Sequence, residues 1–120
     1  MRELMRRGRE NYLDYVPRRN RNFPWKELEN GLVVVRMENR GPMNRIAQKF
    51  FGRPPFSEIE LDEFGSFVWK RIDGKRTVLE IGEALRENFG EKAEPLYERL
   101  SAFVKTLHRQ RFVVYANKIK

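Results

Sequence analysis

Apolar positions recur along this chain with two different spacings, and the changeover comes near Asp62. Before it, β-branched or alternating runs dominate. Trp25–Glu29 and Leu32–Glu38 flank Asn30-Gly31, a dipeptide suited to the tight turn of a hairpin. The second run holds Leu32, Val33, Val34 and Val35, which suit a half-buried pleated surface. Phe56–Leu61 alternates, with Phe56, Glu58 and Glu60 on one side and Ser57, Ile59 and Leu61 on the other. This pattern predicts a third strand. One helical stripe interrupts the region: Met43, Ile46, Ala47, Phe50 and Phe51, stopped by Gly52-Arg53-Pro54-Pro55.

After Asp62 the spacing is helical. Asp62 is a suitable N-cap for a helix through Ile72, with Phe64, Phe67, Val68 and Ile72 on one side. Asp73-Gly74 is a turn pair. Thr77 and Glu80 stand at capping-box spacing and open a second helix bearing Val78, Ile81, Leu85 and Phe89, which Gly90 ends. Leu96, Leu100, Phe103 and Leu107 mark the core stripe of a third helix, with Pro95 in its first turn. Beside that stripe runs a mixed one, Tyr97, Ser101, Val104 and His108, suited to the edge of a cleft. Phe112–Tyr115 reads as a final short strand or packed tail, and Pro17–Pro24 as a loop. Strands first and helices second is the order of an α+β domain with a three-stranded antiparallel sheet followed by three helices.

Composition narrows the function. A chain of 120 residues suits one domain. It has no Cys, which removes disulfides, thiolate metal sites and a Cys nucleophile. His108 is the single histidine, so a His-rich metal site is not expected. No apolar run approaches the roughly 20 residues of a transmembrane helix, and no secretory signal is recognisable, so a cytoplasmic location is expected. No Gly-rich phosphate loop, nucleophile elbow or metal-ligand spacing occurs, and no catalytic residue or cofactor is assigned. Glu58, Glu60, Asp62 and Glu63 form an acidic run, and its first two members read as charges that guard an edge strand.

The net charge is +8, of which residues 1–26 contribute +5 and the remainder +3. Residues 1–24 therefore read as a basic arm and loop that attract an acidic partner. With strands starting at Trp25, loss of residues 1–16 is expected to leave the fold intact.

The ordered set Leu61-Asp62-Glu63-Phe64-Gly65-Ser66-Phe67-Val68-Trp69, then Ile72-Asp73-Gly74-Lys75-Arg76-Thr77-Val78 with Glu80-Ile81, resembles the PqqD family. Phe89-Gly90 followed by Leu100, Phe103 and Leu107 continues the likeness. The resemblance covers about residues 25–115, which it marks as a peptide-binding domain, with 116–120 as a tail. The chain departs from short members in its basic arm, its 43–51 helix, and Gln110-Arg111 where many relatives carry a Gly. The resemblance implies a winged helix-turn-helix-like fold that binds a precursor or leader peptide as an added strand between the third strand and the third helix. It then presents that peptide to a modifying enzyme, in the family case a radical S-adenosylmethionine enzyme, without doing chemistry itself.

On this reading the peptide pairs with Ser57, Glu58, Ile59, Glu60 and Leu61 and rests on Tyr97, Ser101, Val104 and His108. Lys105, Arg109 and Arg111 would favour an acidic peptide. The alternative is a winged-helix nucleic-acid binder. The basic arm allows it, but Glu80, Glu83 and Glu87 on the second helix oppose phosphate.

Overall fold

The computed structural model describes residues 11–38, 49 and 56–117. Contacts divide the chain into two units, residues 21–66 and residues 1–20 with 67–120.

The unit of residues 21–66 holds a three-stranded antiparallel sheet in chain order. Its strands are β2 (Trp25–Glu27), β3 (Val33–Glu38) and β4 (Phe56–Glu60). The Asn30-Gly31 turn lies where the sequence places it. The Leu28 N–H donates to the Leu32 carbonyl, the Gly31 N–H donates to the Leu28 carbonyl, and Gly31 has φ +88°. In register, Trp25, Val35 and Ile59 form one cross-sheet row and Lys26, Val34 and Glu60 the next. Val33, Val34 and Val35 are buried. The Ser66 hydroxyl accepts from the Val33 N–H and donates to the Leu61 carbonyl, which joins the sheet to the start of α1 (Glu63–Arg71). Asp62 caps that helix through its carboxylate and the Gly65 N–H, as expected. The predicted 43–51 helix lies outside the described residues.

The other unit contains α2 (Val78–Phe89), α3 (Leu96–Arg109) and a two-stranded antiparallel ribbon, β1 (Pro17–Arg19) with β5 (Val113–Tyr115). Thr77 and Glu80 form the full capping box: the Thr77 N–H donates to Glu80 Oε1 at 2.8 Å and the Glu80 N–H to Thr77 Oγ1 at 3.1 Å. Gly90 ends α2 at φ +58°. Ile72, Ile81, Leu85, Leu96, Leu100 and Val104 are fully or almost fully buried.

Two readings of the sequence are corrected here. Residues 17–19 are a strand, not loop, because β5 supplies partners that a local reading of Pro17-Arg18-Arg19 cannot see. The core stripe of α3 takes Val104 (0% exposed), while Phe103 is half-buried. Four-residue steps from Leu96 through Leu100 reach Val104 as readily as the longer Phe103.

The segment before β1 is also built in. A 3-10 turn (Tyr12–Asp14) leads to Tyr15, whose carbonyl accepts the Val78 N–H at the first turn of α2. The Pro17 carbonyl accepts the Gly74 N–H, and the Arg19 guanidinium donates to the Trp69 carbonyl at 2.9 Å. Asn117 accepts from the Val16 N–H and donates to the Asp14 carbonyl.

Candidate functional site

Of the eleven side chains singled out for peptide binding, four lie on β4 in one unit and six on α3 in the other, and Leu61 lies just past β4. Ser57, Glu58, Ile59 and Glu60 lie on β4, and Leu61 follows, its N–H bonded to the Val33 carbonyl. β4 pairs with β3 along one edge, and among the described residues no strand pairs with its other edge. A strand edge displays alternate unpaired N–H and C=O groups, which can template another extended chain. The side chains around that edge are accessible: Glu58 and Glu60 are exposed and Ile59 is 38% exposed.

The two glutamates differ in their surroundings. Glu58 faces Arg36 across the strand pair, with 3.4 Å between charged atoms. Arg36 also stacks over the Phe56 ring, 4.0 Å from its centroid. Glu60 is met across the sheet by Val34 instead of a cation.

On α3 the predicted residues separate by what they touch within their own unit. Tyr97 packs on Gly82, and its hydroxyl reaches the Leu79 carbonyl at 3.5 Å. Val104 is a core residue, so the substitution Val104→Glu would probe folding before binding. The Lys105 ammonium lies 4.7 Å from the centre of the Tyr12 ring, and the His108 ring 4.5 Å from that of Tyr115. Arg109 donates to the Thr106 hydroxyl at 3.1 Å. Ser101 is half-buried.

Sequence reasoning missed the aromatic group beside Lys105 and His108. The Tyr12 and Tyr115 hydroxyls are 2.6 Å apart, and Tyr15 meets Tyr115 edge-on at 4.8 Å between ring centres. Burial raises the Tyr12 hydroxyl far above the ordinary tyrosine range, and its bond to Tyr115 adds to this. Tyr115 is also raised by burial, against the opposing effect of that same bond. Tyrosines near both ends of the chain were the available signal, but only the fold brings them together.

Sequence reasoning also missed a depression of about 240 Å³ on the sheet, lined by Pro24, Trp25, Lys26, Val34, Arg36 and Glu58. Its small volume and mixed lining suit a single side chain more than a whole cofactor. Among the described residues, no group of His, Asp and Glu is arranged to hold a metal ion. No described helix is long and apolar enough to cross a membrane.

Charge divides with the units. Residues 21–66 carry seven basic and seven acidic side chains, and the other unit carries eighteen basic and ten acidic. Glu80, Glu83 and Glu87 are exposed along α2, an unfavourable face for a phosphate backbone.

Comparison with curated proteins and with solved structures gave no match. The family model for Coenzyme PQQ synthesis protein D (PqqD) matches residues 34–113. That span takes in all but the first residue of β3, together with β4, α1, α2 and α3, so the chain belongs to the PqqD family.

Proposed function

We propose that this chain is a non-catalytic peptide-binding adaptor that holds a precursor or leader peptide as a strand added to β4. It then presents that peptide to a modifying enzyme of the radical S-adenosylmethionine type. The observation that carries this reading is the outer edge of β4, which has no strand neighbour among the described residues. Membership of PqqD, a family of accessory binding proteins, supplies the context. Main-chain pairing along Ser57–Glu60 supplies affinity with little demand on sequence, and the side chains on the two faces supply selection.

Amide mapping tests the reading. Short peptides encoded beside this gene are titrated into isotope-labelled protein. Shifts across residues 57–61 are expected. A peptide that binds tightly yet leaves residues 57–61 unmoved overturns the assignment.

A further inference from the structure

The side chains of β4 ask for more than an extended backbone. A strand laid along the β4 edge puts its residues alternately on the two faces of the sheet. On one face its neighbours are Glu58 and Glu60, and on the other Ser57 and the exposed Ile59. Directly opposed residues of unlike charge attract across a strand pair, and like charges repel. Apolar residues favour apolar or β-branched neighbours.

From this we infer that the segment captured at β4 is locally basic, with a Lys or Arg on each side of an apolar residue that faces Ile59. The inference rests on the strand-addition reading above and names the substrate class for it. Glu60 contributes most, because its neighbour on β3 is Val34 and its carboxylate is not already matched across the strand. Glu58 contributes less, since Arg36 shares its charge at 3.4 Å.

Overall charge argues the other way. At +8 the whole chain favours an acidic peptide, as do Lys105, Arg109 and Arg111. That excess belongs to the other unit, whereas residues 21–66 are balanced. Net charge governs long-range encounter. Pairs in contact at the edge govern which segment stays.

The test uses the full chain and three synthetic ten-residue peptides. Each alternates Val with one other residue over its central positions: Lys, Gln or Glu. Affinity is read by fluorescence anisotropy, and location by amide shifts at residues 57–60. The expected order is Lys tightest and Glu weakest. The Lys and Glu peptides should differ by about tenfold, since one cross-strand charge pair is worth up to about fivefold. In the Glu60→Lys protein the preference should reverse, with Ile59 still shifting. An equal or opposite order in the wild-type protein, with residues 57–60 shifting for all three peptides, overturns the inference and leaves the reading standing. If none of the three moves residues 57–60, the inference also falls. The strand-addition reading itself falls only if the peptides encoded beside the gene leave those residues unmoved too.

Discussion

The ring of Tyr97 lies against the bare Cα of Gly82. A side-chain carbon added at Gly82 would sit 2.7 Å from Cζ of that ring and 2.9 Å from its hydroxyl oxygen. Glycine inside a helix costs about 0.5–1 kcal/mol relative to alanine. Its presence in the buried first half of α2 is explained by this close approach between α2 and the first residues of α3.

The first prediction follows from that contact. Gly82→Ala should destabilise the protein by about 1–3 kcal/mol, the usual cost of overpacking, despite the better helix propensity of alanine. Adding Tyr97→Ala should recover much of the loss, so the two substitutions should be strongly non-additive in urea denaturation. A Gly82→Ala protein more stable than wild type would show that the ring does not rest there.

Deletion of residues 1–16 should destabilise the fold, contrary to the expectation drawn from the basic arm. The deletion removes two tyrosine rings that pack with Tyr115, the carbonyl that accepts the Val78 N–H, and the residues held by Asn117. Partial burial of two aromatic side chains and a few hydrogen bonds together suggest about 3 kcal/mol. Deletion of residues 1–10 alone is the comparison, and a common melting temperature for the two truncations would contradict this account.

Asp73 should make stability depend on pH in the acid range. Burial alone would raise its carboxyl. The N–H groups of Lys75 and Arg76 and the Arg76 guanidinium at 2.8 Å outweigh burial and hold it below the ordinary 3.8. The folded state therefore binds this proton more weakly than the unfolded state. Its stabilisation is complete above the ordinary carboxylate range and is lost as pH falls through the lowered folded value. Asp73→Asn should lower the melting temperature at neutral pH, and the gap should close well below about pH 4. A gap that stays constant with pH would remove Asp73 from this role.

Arg111 occupies left-handed backbone at φ +72°, the conformation that glycine adopts without strain. Left-handed geometry costs an ordinary residue about 1–2 kcal/mol, and glycine gives part of that back through a more flexible unfolded chain. Arg111→Gly should thus raise stability by up to about 1 kcal/mol, measured by urea denaturation. Arg111→Ala should bring no such gain, because it keeps the Cβ.

Local chemistry made much of the fold legible. The Asn30-Gly31 turn, the Asp62 cap, the Thr77–Glu80 capping box and the alternation of Phe56–Glu60 each depend on residues close in sequence. The β1–β5 ribbon depends on partners about a hundred positions apart, and Pro17-Arg18-Arg19 carries no periodic signal of its own. The surroundings of the α3 residues were harder to read for a related reason. Periodicity gives an angle around a helix but not which neighbour arrives at that angle. Tyr97 is met by Gly82, Lys105 by Tyr12 and His108 by Tyr115, and none of these pairs is local.

The ribbon of β1 and β5 also sets an order of events during synthesis. Residues 12–19 leave the ribosome about a hundred residues ahead of their partners at 113–117. Until residues 113–117 have been made, Tyr12, Tyr15 and β1 wait without their strand, while residues 21–66 are already complete. A ribosome halted shortly before Val113 would therefore carry a chain whose three-stranded sheet is fully synthesised but whose strand β1 still lacks its partner.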